Sequence, residues 1–171
     1  PDAEGFSYDE VTFTPDGKKL LVANEGELAV TPGVNGAGSV SVIDLSNGVA
    51  AATVVNAGFG AFDGQEVALR TSGVRISAGV SASLDFEPEY IAISPDGKKA
   101  MVTLQENNSV ALLDIATATV TAIVPLGLKD WSLPGNVLDA GDRDGAGNTP
   151  LTQITNEPIF GMYMPDAIAS F

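Results

Sequence analysis

The decapeptide VTFTPDGKKL, residues 11–20, returns 80 residues later as IAISPDGKKA, residues 91–100. Both copies contain the five residues PDGKK, with an alternating apolar stretch before them and a second apolar stretch after them. Proline presets φ at the first turn position, aspartate accepts hydrogen bonds from nearby backbone, and glycine accepts a positive φ. The sequence therefore predicts a β-hairpin at both places.

A second pair of similar segments extends each hairpin into a larger unit. SVSVIDL at residues 39–45 matches SVALLDI at residues 109–115 with an offset of 70 rather than 80. The first copy therefore holds ten extra residues, which we assign to the Gly/Pro-rich stretch between Leu28 and Gly38. With a further strand predicted at residues 51–55 and 120–124, each copy becomes a four-stranded antiparallel meander.

A single four-stranded sheet cannot bury both of its faces, and radial stacking of such sheets produces a β-propeller. We therefore predict an all-β fold built from propeller blades in an incomplete ring, with a two-sheet sandwich as the alternative. The predicted division is blade 1 at about 7–56, a helical insertion at 57–83, blade 2 at about 84–126, a long loop at 127–160 and the start of a blade 3 at 161–171.

The third blade is predicted because Met164–Phe171 aligns with Glu87–Ser94. Closed propellers usually have about four to eight blades, so two blades and a fraction would leave exposed sheet faces and edges. We expect the remaining blades of a longer parent chain, or other subunits, to cover them.

One short helix is predicted within the insertion, between Phe62 and Gly73. Asp63 is expected to be its N-cap, with Glu66 three residues later bonding back to the start of the helix. Gly73 is expected to end it, since glycine readily adopts the left-handed conformation that closes helices. The insertion is expected to lie on the surface between the two blades.

The composition excludes several functions. The 171 residues include 22 acidic and 8 basic side chains, a net charge of −14, and neither histidine nor cysteine. Zinc sites built from Cys or His, Cys nucleophiles, Ser-His-Asp triads and disulfides are therefore excluded. The excess negative charge would repel nucleic acid, and no apolar run reaches the roughly 20 residues of a transmembrane helix. An acidic, cysteine-free chain is typical of an extracellular, cell-surface or periplasmic protein.

Several strings together carry a family resemblance: LDFEPEYIAISPDGKK at residues 84–99, VTLQENN at 102–108, LPGN at 133–136 and GMYMPDAIASF at 161–171. In these strings the chain resembles the choice-of-anchor I family of exported bacterial β-propellers. The resemblance implies a secreted or surface-tethered propeller of about seven blades, a family often labelled alkaline-phosphatase-like. This chain would correspond to an N-terminal portion of such a domain.

Acidic residues at matching places in successive blades can converge on the central channel of a propeller. One set, Asp9, Glu89 and Asp166, lies at the start of predicted first strands. A second set follows the predicted second strands and contains Glu25 in the first copy and Glu106 in the second. Converging carboxylates repel one another unless a hard cation such as Ca²⁺ or Mg²⁺ lies between them. We therefore predict a calcium or other divalent-metal site formed by Glu25, Glu87, Glu89, Glu106 and Asp166. The alternative is that these are strand-end carboxylates facing water.

A second candidate metal site lies in the acidic loop of residues 139–148. Asp142, Asp144 and Gly145 match the middle of a calcium-binding loop, in which alternate carboxylates face one ion. The match is partial, because Ala140 and Leu151 occupy the positions of the first and last ligands. A plain acidic loop is the alternative.

Two functions of different classes fit these features. The first is a non-catalytic extracellular propeller that serves as a scaffold for binding or surface assembly, with bound calcium. The second is a metal-dependent phosphoesterase, in which cations held by carboxylates activate water. A subunit of a larger layer, joined by strand exchange at an open sheet edge, is a third possibility. The sequence leaves open whether the protein is an enzyme.

Overall fold

The protein contains two four-stranded antiparallel sheets, one after the other along the chain. The structure is a computed structural model that describes residues 6–26 and 36–171, with side chains from residue 10 onward. Blade 1 contains β1 (Phe6–Phe13), β2 (Lys19–Gly26), β3 (Ser39–Asp44) and β4 (Thr53–Gly58), paired in chain order. Blade 2 contains β5 (Pro88–Ile93), β6 (Lys99–Leu104), β7 (Ser109–Asp114) and β8 (Thr119–Pro125), paired in the same way. These sheets confirm the predicted all-β class and its four-stranded meanders.

The predicted hairpin turns have the same hydrogen bonds in both blades. Thr14 Oγ1 donates to the Asp16 carboxylate at 2.7 Å, and the Lys18 N–H donates to the same oxygen at 3.1 Å. Blade 2 repeats both bonds at the same two distances, with Ser94, Asp96 and Lys98. The bond from the hydroxyl is the largest cause of a lowered pKa at both aspartates, since it stabilises the ionised form.

The first strand of each blade is also interrupted by a bulge at the same place. The pairing of β1 with β2 shifts register between Tyr8 and Glu10, and that of β5 with β6 shifts between Pro88 and Ile91. Asp9 and Glu89, which are 80 residues apart, therefore occupy the same irregular position. A bulge turns a side chain away from strict alternation, so this position can differ in direction from the rest of the strand.

The core lies between the facing sheets. Register places Leu21 and Ala23 of β2 on the face of blade 1 that packs against blade 2, and Ile91 and Ile93 of β5 on the opposing face. Glu10 joins the two sheets, because its carboxylate accepts a hydrogen bond from the Ile91 N–H. The remaining core residues include Val40, Val42, Ala57, Phe59, Val74, Ile76, Ala82, Phe86, Ala100, Val102, Leu104, Ala111, Leu113, Ile115 and Val120.

The predicted helix is present as α1 (Glu66–Ser72) and ends as predicted at Gly73, where φ is 106°. Its start differs from the prediction, because Asp63 does not cap it. The Asp63 carboxylate instead accepts hydrogen bonds from the N–H and hydroxyl of Ser83, at 2.8 and 2.9 Å. A 3₁₀ turn at Gly60–Phe62 precedes the helix, and a short helix that was not predicted, α2 (Ala82–Asp85), follows it.

The chain divides into two compact units, residues 1–126 with 164–171 and residues 127–163. The second unit contains two short ribbons, in which β9 (Leu128–Asp130) pairs with β12 (Phe160–Met162) and β10 (Leu138–Asp139) pairs with β11 (Ile154–Thr155). Trp131 anchors this unit, since its backbone N–H donates to the Ile159 carbonyl at 3.0 Å and Lys129 Nζ lies 3.9 Å from the centroid of its indole ring.

Residues 164–171 return to the first unit without forming the strand that the alignment with Glu87–Ser94 predicts. A strand needs a neighbouring strand for its backbone hydrogen bonds, and no described strand pairs with this segment. It is held instead by the Ser170 hydroxyl, which donates to the Ile93 carbonyl, and by the Met164 N–H, which donates to Asn108 Oδ1 at 3.4 Å. None of the helices in the described ranges has the length and apolar character needed to cross a bilayer.

Candidate metal site

Three carboxylates meet where the two blades adjoin. Glu25 lies near the end of β2, Glu89 lies at the bulge of β5, and Glu106 lies in the turn between β6 and β7. One carboxylate oxygen from each lies within 4.8 Å of the other two, and all three residues are half-buried. The structure therefore brings together three of the five glutamates and aspartates that the strand positions predicted as one set.

Glycines permit the close packing around this cluster. A Cβ atom on Gly38 would overlap the Phe86 carbonyl and lie 2.8 Å from Pro88 Cδ. Only a residue without a side chain therefore lets the segment before β3 pass so close to the start of β5. The contact is one residue from Glu89, which follows Pro88 in β5.

Glu106, one of the three residues of the cluster, has a buried carboxylate oxygen. Its Oε2 has less than 1 Å² of accessible surface and no hydrogen-bond partner among the described residues. A buried carboxylate oxygen without a donor is costly, and neighbouring carboxylates add mutual repulsion. A bound cation would remove both costs, and the chemistry of the three oxygens suits a hard cation.

One basic side chain lies at the edge of this site. Arg75 Nη1 donates to the backbone carbonyl of Glu106 at 3.0 Å, and Arg75 N donates to the carbonyl of Asn107 at 2.9 Å. These bonds fix the turn that carries Glu106. The guanidinium is therefore used to position the turn.

Two other predicted ligands lie outside the three-carboxylate cluster. The Glu87 N–H donates to Asn107 Oδ1 at 3.3 Å, which fixes the chain before β5. Asp166 accepts a bond from Gln105 Nε2 at 3.4 Å and, together with Glu89, lines a cavity of about 330 Å³. Asp166 is therefore a neighbour of the cluster rather than a member. The side chain of Asp9, the remaining residue of the predicted first set, lies outside the described residues.

The acidic loop of residues 139–148 has a different geometry. Asp142 and Asp144 are exposed and belong to no group of three close carboxylates within the described ranges. The Asp144 carboxylate lies directly over Gly141, where a Cβ would be 2.6 Å from its Oδ2, and the Gly145 N–H closes the loop onto the Thr149 carbonyl at 2.9 Å.

The most highly connected polar residue at this edge, Asn107, was not recognised as structural from the sequence. It is completely buried, and its Nδ2 donates to the carbonyls of Arg75 and Asp85 and to the Asp85 carboxylate, at 2.9–3.1 Å. It therefore joins the turn after β6 to the segment that leads into blade 2. The available signal was the pair of asparagines in a four-residue turn, since such residues commonly bond to nearby backbone.

The fold and the site define an all-β protein with two four-stranded antiparallel sheets and an acidic cluster where those sheets adjoin. A profile of the choice-of-anchor I domain matches residues 3–171, so the chain belongs to the choice-of-anchor I family. The resemblance noted from the sequence is thereby confirmed. Membership of this family indicates an extracellular, surface-associated β-structured scaffold.

Among solved structures, hydrazine synthase from Kuenenia stuttgartiensis is similar in fold, with a TM-score of 0.46 and 18% sequence identity. The similarity covers 72% of this chain and 38% of that chain, so this chain spans well under half of the larger protein's length. The comparison with curated protein sequences gives no match.

Proposed function

We propose that the protein is an extracellular β-propeller scaffold in which a calcium ion, bound by Glu25, Glu89 and Glu106, joins blade 1 to blade 2. The observation that supports this most strongly is that Glu106, a member of the three-carboxylate cluster, has a buried Oε2 with no donor in the described part of the chain. An ion held there would connect the end of β2 to the start of blade 2.

Calcium suits this site better than other divalent metals. Calcium takes about six to eight oxygen ligands in flexible geometry, which three carboxylates with backbone oxygens and water can supply. Magnesium requires a nearly ideal octahedron and retains most of its water. Zinc and copper favour nitrogen and sulfur ligands, and this chain has neither histidine nor cysteine. Extracellular calcium sites typically bind at about 10⁻⁴–10⁻³ M, which fits the proposed location.

Thermal unfolding with and without calcium tests the site. At 100 times its dissociation constant, a ligand of the folded state adds about 2.7 kcal/mol, which raises Tm by roughly 5–10 °C for a chain of this size. Glu106→Gln should remove this response and should also raise the Tm of the metal-free protein, because it removes one of three repelling charges. A purely structural role of Glu106 would not produce the second effect.

The double variant Asp142→Asn, Asp144→Asn is the matched control, since it removes two carboxylates from the other predicted site. It should respond to calcium as the wild type does. A response that survives in Glu106→Gln and disappears in this control would assign the ion to the loop of residues 139–148. The absence of any wild-type response at about 10–100 mM calcium, which is 100 times the dissociation constants typical of extracellular sites, would refute calcium binding altogether.

A metal-dependent phosphoesterase remains the second candidate function. The feature that favours it is the Arg75 guanidinium, which lies beside the turn of Glu106 and could meet a phosphoryl oxygen near a bound cation. Hydrolysis of an aryl phosphate by the natural polypeptide, dependent on added calcium or magnesium and abolished by Glu89→Gln, would support it. Equal hydrolysis by wild type and Glu89→Gln would exclude the cluster as its catalytic site.

A further inference from the structure

The turn of residues 105–108 connects the three-carboxylate cluster to a further part of the chain. Glu106 belongs to the cluster, and the Asn107 side chain fixes the segment before β5. The first and last residues of the turn bond instead to the segment Met164–Phe171. A change at the cluster can therefore reach this segment through a single four-residue turn.

The two hydrogen bonds that the turn makes to the segment are long. Gln105 Nε2 donates to Asp166 Oδ1 at 3.4 Å, and the Met164 N–H donates to Asn108 Oδ1 at 3.4 Å. The usual N–H···O distance is about 2.9–3.0 Å, so both bonds are weak. We call the segment docked when both bonds are formed. Because the bonds are weak, a modest change in the local electrostatics can shift the docking equilibrium.

Asp166 is exposed to the charge of the cluster. It is the only charged side chain in the stretch MPDAIASF, residues 164–171, and it lines the same cavity as Glu89. A fourth carboxylate at this edge is repelled by the three of the cluster, and this repulsion opposes docking. A divalent cation among the three glutamates would cancel two of their three charges and would itself attract Asp166.

We propose that calcium binding at the cluster strengthens the docking of Met164–Phe171, through the charge of Asp166. This inference rests on the proposed function, because it requires a cation at Glu25, Glu89 and Glu106. The ion then joins three parts of the chain, namely the end of β2, the start of blade 2 and this segment. By thermodynamic linkage, the docked segment strengthens calcium binding by the same factor by which calcium strengthens docking.

Hydrogen exchange in protein labelled with ¹⁵N-methionine tests the coupling. The chain has three methionines, so the spectrum is simple. The Met164 amide reports on its bond to Asn108, and the Met101 amide, in the paired strand β6, is the internal reference for overall stability. Saturating calcium should slow exchange at Met164, relative to Met101, by about 5- to 150-fold, the usual range of coupling factors. An equal change in potassium chloride of the same ionic strength would indicate screening and overturn the proposal.

Asp166→Asn is the decisive variant, since it keeps an acceptor for Gln105 and removes the charge. Without calcium, its Met164 amide should exchange more slowly than that of the wild type, because the repulsion is gone. Calcium should then change the exchange little, and the variant should bind calcium more weakly than the wild type. Asp144→Asn removes one exposed carboxylate outside the cluster and is the matched control. It should respond to calcium as the wild type does.

The possible results separate this inference from the proposed function. If calcium raises Tm but does not slow exchange at Met164, the coupling is overturned and the calcium site stands. If exchange in Asp166→Asn still slows as in the wild type, the coupling does not act through the charge of Asp166 and the proposal is likewise overturned. If calcium changes neither Tm nor exchange, both proposals are refuted.

Discussion

Blade 1 and blade 2 agree in strand order, turn and bulge, and differ in the connection between their second and third strands. In blade 1, 14 residues separate Asn24 from Ser39, whereas in blade 2 only 4 separate Leu104 from Ser109. The agreement shows that the repeated residues determine the sheets. The two blades differ in the connections at one edge, and Glu106 and Asn107 both lie in the shorter connection.

The residues that begin these connections differ as well. Asn24 Nδ2 donates to the hydroxyls of Ser39 and Ser41 at 3.1 and 2.9 Å. Its counterpart Leu104 has no donor, and the buried Ser109 hydroxyl is without a hydrogen-bond partner in the described part of the chain. The last position of the second strand pairing is thus polar in blade 1 (Asn24) and apolar in blade 2 (Leu104). The Ser39 hydroxyl therefore has a hydrogen-bond donor, whereas the Ser109 hydroxyl has no described partner.

The largest effect is expected for Asn107→Ala, which acts only on the short connection of blade 2. The change leaves the Asp85 carboxylate, two carbonyls and the Glu87 N–H without their amide partner. Since each buried unsatisfied group costs about 1–3 kcal/mol, the free energy of unfolding should fall by more than about 4 kcal/mol in chemical denaturation. Gln105→Ala, in the same turn, is the control and should cost less than about 1 kcal/mol. Similar losses for both variants would contradict the assignment of Asn107 as the central contact.

The next largest effect is expected at equivalent positions of the two first strands, where replacing the buried residue should lower the free energy of unfolding more than replacing the exposed one. Ile91→Ala removes a buried side chain between the blades and should destabilise the protein by about 2–5 kcal/mol. Val11→Ala, at the equivalent but exposed position, should change the free energy of unfolding by less than about 1 kcal/mol. The same denaturation measurement checks both variants. Equal costs would mean that the two first strands are buried alike.

Glu10 connects the blades by accepting a hydrogen bond from the Ile91 N–H. Substitutions of Glu10 should change the stability of the protein by a smaller amount, which depends on pH. Burial raises its pKa above the ordinary value of 4.5, more than the bond from Ile91 lowers it. A raised carboxyl pKa means that folding favours the protonated form, so its contribution is present at pH below the ordinary pKa and is lost as pH rises through the folded one.

Glu10→Gln keeps an acceptor for the Ile91 N–H and carries no charge. It should therefore match or exceed the stability of the wild type at pH 7, and any advantage should shrink as the pH falls through the raised pKa toward 4.5, below which it should not change further. Glu10→Ala leaves the N–H without an acceptor and should cost about 1–3 kcal/mol. Thermal melts of the three proteins from pH 4 to pH 8 provide the measurement. An advantage of Glu10→Gln that grows toward acid would contradict the sign of the pKa shift.

The smallest expected effect is a difference in stability between alanine variants of the two serines that begin the third strands. Ser109→Ala removes a buried hydroxyl that has no described partner, so the variant should be as stable as the wild type or slightly more stable. Ser39→Ala removes an acceptor of the Asn24 amide and should cost about 1 kcal/mol. Differential scanning calorimetry can resolve this difference. A larger loss at Ser109 than at Ser39 would indicate that Ser109 has a partner outside the described residues.

The sheets and much of the cluster could be predicted because they depend on short repeated patterns. The Pro-Asp-Gly turn and the apolar alternation place the first two strands of each blade, and antiparallel pairing then brings Glu25, Glu89 and Glu106 to one edge. The division into blades remains a prediction beyond the two sheets. Glu87 was included only because it is near Glu89 in sequence, and the bulge separates their positions.

The rest depended on contacts that local sequence does not encode. Asp63 has the residue type of an N-cap, but Ser83, 20 residues away, competes for its carboxylate. The helix α2 has four residues, too few for a periodic pattern. Asn107 is a turn residue by type, and its role follows from the packing of residues 75–87 around it. These features arise from tertiary contacts and therefore appear only in the folded chain.

Anomalous diffraction from crystals grown with terbium, which substitutes for calcium, tests the central claim most directly. The account predicts an anomalous peak between Glu25, Glu89 and Glu106, with carboxylate oxygens at roughly 2.3–2.6 Å as in calcium sites. A strong peak beside Asp142 and Asp144 with none at the three glutamates, or no peak at either place, would contradict it.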